Sequence, residues 1–107
     1  MRTLISICLV FVLVGCKKNV LVSDCINSKI DEFKMSPVCN NASVKEYEFQ
    51  DKLVYVFYVG NCPDGGAAVW DGDCNFLGTL GGFVGNTKID EVVFETNAKY
   101  KRTIWHN

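Results

Sequence analysis

Histidine is almost missing from this chain: His106 is the single one, one residue from the chain end. Nucleophilic hydrolysis needs a nucleophile, a base and a group that orients the base. Here the usual base has one candidate position, where chains commonly fray. No G-x-S-x-G occurs, and the glycine stretch Gly78–Asn86 (GTLGGFVGN) fits neither G-x-x-x-x-G-K-[ST] nor G-x-G-x-x-G. There is no C-x-x-C pair either: after the first two cysteines the spacings are 14, 23 and 12 residues, so no zinc site is expected. Excess positive charge is lacking, with 11 basic against 12 acidic residues. A nucleic-acid binder would show a basic patch or stripe, so no nucleic acid is expected as a partner. The longest apolar run, Leu4–Val14, has eleven residues, well short of the roughly 20 that cross a bilayer as a helix. No alanine precedes Ala42, so an ordinary secretory signal would lack its A-x-A-like cleavage site.

What the N-terminus does have is one charge, Arg2, followed by that short apolar run, the layout of an export signal. The run ends Leu13-Val14-Gly15-Cys16, which resembles the lipobox of bacterial lipoproteins. That resemblance implies a cysteine joined to diacylglycerol that becomes the first residue of the mature chain. The expected organisation is a lipoprotein signal peptide over 1–15, a lipidated tether over 16–23 and a single domain over 24–107. The membrane partner is then reached through covalent lipid on Cys16, each buried methylene adding about 0.8 kcal/mol.

Four further cysteines remain, Cys25, Cys39, Cys62 and Cys74. An even number in a short exported chain points to disulfides, in one of three connectivities. Cys62–Cys74 with Cys25–Cys39 is the expected pairing, enclosing eleven and thirteen residues. In the chain-entropy picture each is worth about 3 kcal/mol.

The stretch 24–34 has a capping residue, Ser23 or Asp24, and apolar residues Ile26, Ile30 and Phe33 on one helical face; Pro37 stops it. Val44–Phe49 alternates apolar with charged, as a half-exposed strand does. Leu53–Val59 (LVYVFYV) is apolar on both faces and is expected to be central, with the helix over at least one face. Gln50-Asp51-Lys52 reads as the turn between them. Ala67–Asp71 and Asn75–Leu80 read as two short strands joined near Asp71-Gly72, a favoured hairpin dipeptide. Thr87–Ala98 is expected to form a short helix, with a strand at Glu91–Glu95 as the alternative, and Tyr100–Trp105 a closing strand. The sum is an α+β fold: an N-terminal helix packed on a small antiparallel sheet of about four or five strands, stapled by disulfides.

The run Asp71-Gly72-Asp73-Cys74-Asn75 opens like a calcium loop, D-x-D-x-N, but the sixth position is Phe76 rather than glycine and the twelfth is Gly82 rather than glutamate. Turn preference explains the same residues, so no metal and no cofactor is expected. The paired acids Asp31-Glu32, Glu46/Glu48 and Asp90-Glu91 read as solvated faces. Aromatics are the remaining surface. Trp70 and Trp105 are expected to fill the core; if Trp70 instead faces solvent, then Trp70, Asp71 and Asp73 are the candidate binding surface.

Taken together, the lipobox, CINSKIDEFK, SVKEYEFQDKLVYVFYVGNC, the VWDGDCNFLGTLGGFVGN block and the terminal RTIW resemble small Bacteroidetes lipoproteins carrying a domain of unknown function, over Cys25 to Trp105. The resemblance implies a single exported domain and brings no catalytic residues. In the group it resembles, an acidic cluster after the lipid cysteine favours surface export; Lys17 follows Cys16 here and no such cluster is present, so the periplasmic face of the outer membrane is the expected location. The expectation is a non-enzymatic, lipid-anchored cell-envelope module that binds a protein or envelope component. The alternative is a small inhibitor or protective protein against an envelope-degrading enzyme or toxin.

Overall fold

The computed structural model describes residues 22–107; the expected signal peptide, Cys16 and the tether up to residue 21 lie outside the described residues. The expected first helix is α1, Asp24–Met35. Ser23 caps it, its Oγ accepting from the Ile26 N–H at 3.3 Å, which satisfies one of the donors a helix start leaves free. Asp24 in the first turn and Lys34 in the last complement the helix dipole. Ser36 is extended because Pro37 follows it, and the helix stops there.

Among the described residues the strands are β1 (Ser43–Phe49), β2 (Lys52–Tyr58), β3 (Gly66–Asp71), β4 (Phe76–Gly81), β5 (Lys88–Ile89), β6 (Val92–Val93) and β7 (Lys99–His106). A one-turn helix, α2 (Phe94–Asn97), joins β6 to β7. Five strands form one antiparallel sheet in the order β4-β3-β2-β1-β7, and β5-β6 make a separate hairpin. The expected helix-on-sheet arrangement is thus present in a sheet-dominated form. β2 is the central strand, as its apolar run requires.

Side chains alternate across the sheet and build two cores. On the α1 side, Val44, Tyr55 and Phe57 meet Ile26 and Ile30, with Phe33 set edge-on to Phe57 at 5.3 Å between ring centroids. On the other side, Phe49, Val54, Val56 and Val69 meet Ile89 and Phe94. The segment from 87 to 98 is therefore the cover of the second face. It is not the short helix expected there, and the alternative strand at 91–95 is also only in part correct. Asp90 and Glu91 take φ of 53° and 66°, a two-residue turn that pairs Ile89 with Val92. The same turn geometry, at Gln50 and Asp51, joins β1 to β2. Neither pair contains glycine or asparagine, so neither advertises a left-handed turn.

The disulfide pairing corrects the expectation. The bonds are Cys25–Cys74, Cα–Cα 6.2 Å, and Cys39–Cys62, Cα–Cα 5.4 Å. Cys62 precedes β3 and Cys74 follows it, so a six-residue strand, about 20 Å long, separates them. Likewise most of α1, about 15 Å, lies between Cys25 and Cys39. Both bonded pairs are within the about 7 Å between Cα atoms that a disulfide needs. Near Cys39–Cys62 the chains run in close contact: the Cys39 N–H donates to Val59 O and the Asn61 N–H to Asn40 O, both at 2.9 Å. Gly60, at φ +95°, is required between them, since a Cβ there would lie 2.4 Å from Asn40 O.

One polar row crosses the α1-side core. Glu46 of β1, only 5 % exposed, is the cross-strand partner of both Tyr55 and Arg102. The Tyr55 hydroxyl donates to Glu46 Oε2 at 3.0 Å; Arg102 Nε and Nη2 donate to the two carboxylate oxygens at 3.1 and 3.3 Å. A buried carboxylate is tolerated because its acceptor positions are filled. Burial, then the hydrogen bond and charge of Glu46, push the Tyr55 hydroxyl up to about 12 from its ordinary 10.0, against the opposing charge of Arg102. A raised acid favours the neutral form in the folded state. Its contribution is complete below pH about 10 and is lost as pH rises through about 12. Denaturant titrations between pH 9 and 12 are expected to show this alkaline loss, and Tyr55→Phe to flatten it. Separately, non-reducing peptide mapping is expected to recover Cys25 linked to Cys74 and Cys39 linked to Cys62; fragments joining Cys62 to Cys74 would contradict the fold.

Candidate functional site

The block NCPDGGAAVWDGDC spans β3 and the turns at its two ends. Its second turn is organised by Asp71. Asp71 Oδ1 accepts from the N–H groups of Asp73 and Asn75, both at 2.9 Å, and Oδ2 accepts from Asn75 Nδ2 at 3.0 Å. The residue in the left-handed region is Cys74, φ 65°, rather than Gly72, so this is not the tight Asp-Gly hairpin expected from the dipeptide. Partial burial alone would raise the Asp71 carboxyl. The hydrogen bonds from Asn75 and Asp73, helped by Lys52 Nζ at 4.0 Å, outweigh that and hold it below its ordinary value. The aspartate that opened the calcium-like run is thus committed to two backbone N–H groups and the Asn75 side-chain amide. Asp73 is exposed.

Trp70 is neither fully core nor free. It is partly buried, packing on the α1-side core, with Lys29 Nζ 3.8 Å from its ring centroid and the Phe76 ring tilted against it at 5.0 Å between centroids. Cation–π contact of this kind holds the ring and the lysine together. Trp105 is also partly buried, edge-on to Phe33 at 5.9 Å. So of the three candidate surface residues, Trp70 is partly buried against α1, Asp71 holds a turn, and Asp73 is exposed beside it with its N–H on the Asp71 carboxylate.

The larger feature lies beside Trp70. The α1-side core reaches β1, β2 and β7 through Val44, Tyr55, Phe57 and Trp105, and also takes in Ala68 and Trp70 of β3 and Cys74. Between α1 and the Gly66, Ala68 and Thr79 positions of β3 and β4 there is a groove of about 460 Å³. Its floor is made of Gly66, Ala68 and Thr79, all small; its walls are Phe33, Phe57 and Trp70; Lys29 and Glu32 stand on the α1 rim. Beyond it, Phe76 is 55 % exposed, and the loop after β4 presents Phe83 and Val84 at 87 % and 83 % exposure. That loop is a tight return, with Gly81 and Asn86 exchanging backbone hydrogen bonds at 2.8 and 3.2 Å. Two large apolar side chains thus stand exposed next to each other on one turn.

Sequence reasoning singled out Trp70 but not Lys29, Phe33, Ala68, Thr79 or the pair Phe83-Val84. The pair was findable: two apolar residues bracketed by glycines inside a turn have no core to join. The groove follows from one helix being set against five strands. Among the described residues no three His, Cys, Asp or Glu side chains cluster to hold a metal ion, and no helix is long and apolar enough to cross a membrane.

The family described as a domain of unknown function (DUF6970) matches residues 31–107. This agrees with the domain of unknown function expected over Cys25–Trp105, with its boundaries moved by a few residues. No curated protein and no solved structure matches the chain. The site's stability has a direct check. Asp71→Ala is expected to lower the unfolding free energy at pH 7 by about 1–3 kcal/mol. Because the folded carboxyl is depressed, that difference is present above the ordinary value of 3.8 and shrinks as pH falls through the lower folded value. Denaturant melts at pH 7 and pH 2.5 measure both.

Proposed function

This chain belongs to the DUF6970 family, and we propose that it works as a non-enzymatic, lipid-anchored module of the bacterial cell envelope that binds a protein or envelope component. The observation that carries the reading is the open groove beside α1, apolar in its floor and walls and charged at its rim. It has the makings of a binding cleft, mostly apolar with a few placed polar groups. The lipobox Leu13-Val14-Gly15-Cys16 supports the anchor. Six residues beyond Cys16, Val22 meets the α1-side core, and Ser23 Oγ donates to Gly72 O at 2.7 Å, so the tether enters at the β3–β4 turn. The Phe83-Val84 loop follows the far end of β4. An anchored molecule thus offers that loop away from its own membrane, on the periplasmic side of the outer membrane.

A second reading, a small inhibitor or protective protein acting on an envelope-degrading enzyme or toxin, draws on the same loop. A rigid turn with two exposed apolar side chains is a shape that can enter an enzyme's cleft. Metabolic labelling with an alkynyl palmitate analogue separates anchored from free forms. Label and membrane fractionation are expected for the unaltered chain and their loss for Cys16→Ala. Label retained by Cys16→Ala, or absent from both, would remove the lipoprotein reading.

A further inference from the structure

Residues 106 and 107 are tied to the sheet rather than frayed. The Ala42 N–H donates to Asn107 Oδ1 at 3.0 Å, the Asn107 N–H to Ala42 O at 3.2 Å, and Asn107 Nδ2 to Cys39 O at 3.0 Å. Cys39 is itself bonded to Cys62. The single histidine, His106, is thereby held at the end of β7 as the cross-strand partner of Ser43, which also pairs with Tyr58 of β2. Directly paired residues of an antiparallel sheet stand on one face, with Cβ atoms about 4.5–5.5 Å apart. Val44 packs on the α1 side, so by alternation Ser43 and Lys45 face the other way. His106 and Tyr58 stand beside Ser43, and Thr103 beside Lys45.

These side chains line a hollow of about 320 Å³ at the end of β1 farthest from Phe49. None of the residues lining it is Asp or Glu, although the chain carries 12 acidic against 11 basic residues. Its donors are also uncommitted. Lys45 is partly buried, yet the ion pairs among the described residues are Lys52–Asp71 and Arg102–Glu46, neither of which uses it. Ser43 is only 7 % exposed, and its hydroxyl has no hydrogen-bond partner among the described residues. Buried polar groups are nearly always paired, so an unpaired hydroxyl facing a donor-lined hollow is a group held ready for a ligand. His106 Nδ1–H donates to Asn107 O at 3.1 Å, which leaves Nε2 as the ring nitrogen for another partner. Thr103 is the exception, its hydroxyl sharing a hydrogen bond with the Tyr100 hydroxyl at 2.8 Å.

We propose that this hollow binds a phosphate group, free or carried on a phosphate ester. Lys45 supplies the opposite charge, and the Ser43 and Tyr58 hydroxyls and His106 Nε2 supply hydrogen bonds from three strands. A tetrahedral oxyanion takes donors from several directions around a point charge such as lysine. A carboxylate is best matched by the planar fork of arginine, and no arginine lines the hollow. The backbone bonds of Asn107 and the Cys39–Cys62 bond fix the β1 and β7 walls, so the site is formed before the ligand arrives.

The site is on the sheet face opposite α1, so it goes beyond the groove and stands separately from it. Because His106 is the only histidine, the untagged full-length chain in a non-ionic detergent gives one ring Cε1–H signal by carbon-correlated NMR. That signal is followed while inorganic phosphate, glycerol 3-phosphate or glycerophosphoglycerol, a soluble phospholipid headgroup, is added at fixed pH and ionic strength. A saturable shift is expected with at least one of the three, and the tightest of them assigns the source as free phosphate, a phosphate monoester or a lipid headgroup. The dissociation constant is expected to rise about tenfold with Lys45→Gln and to rise also with Ser43→Ala. Lys45→Arg keeps the charge and is expected to keep binding, which separates loss of charge from loss of fold. No saturable shift with any probe, an equal shift with sodium chloride, or binding unchanged in both Lys45→Gln and Ser43→Ala would overturn the proposal. The palmitate label does not bear on this titration, so the anchor and the phosphate site fail independently.

Discussion

The structure depends on α1 being fastened to the sheet at both ends. Cys25 in its first turn is bonded to Cys74 in the β3–β4 turn; Cys39, four residues after its end, is bonded to Cys62 after β2. A twelve-residue helix is marginal alone, and this one buries little more than Ile26 and Ile30. The cross-links span 49 and 23 residues, the shorter nested within the longer. In the chain-entropy model loops of those sizes are worth about 4 and about 3 kcal/mol taken singly, and less together because the inner bond shortens the outer loop. With both ends tied, α1 packs against β1, β2 and β7 with Lys29 over Trp70 of β3, and a groove remains between it and the rest of β3 and β4.

The sheet's two faces are treated differently, and its edges are closed. The second face is covered by the β5-β6 hairpin and α2, which bring Ile89 and Phe94 onto the core. At the β4 edge, Asn86 exchanges backbone hydrogen bonds with Gly81 and its Nδ2 donates to Thr79 O at 2.7 Å, occupying groups that another strand would use. At the β7 edge, Lys99 and Lys101 and two register shifts against β1 discourage pairing. A molecule that guards both edges and leaves part of one face open presents a surface for side chains, not for strand addition.

Much of this was legible in the residues. The Ser23 cap and Pro37 bounded α1, period-two alternation marked β1, and the two-sided apolar run LVYVFYV required β2 to be central. The disulfide pairing was not legible: four cysteines allow three connectivities, and local structure between them does not choose among these. The segment from 87 to 98 was not legible either. Its left-handed turn is built from Asp90-Glu91, residues without an intrinsic preference for it, and only burial of Ile89 and Phe94 against the sheet makes it worthwhile. Asp71 was read as a turn residue, correctly, but its three hydrogen bonds depend on where Asp73 and Asn75 come to lie.

By itself, then, the sequence determined the first helix and the strands of the main sheet, that β2 lies at the centre, and that four cysteines are available to staple a small domain. Those are consequences of local periodicity, capping and composition, which act over a few residues. Only the tertiary structure decided which cysteines meet, which face the 87–98 segment covers, and that Lys29 lies over Trp70 at the mouth of an open groove. Each of these joins residues tens of positions apart, and strand order, not local preference, brings them together.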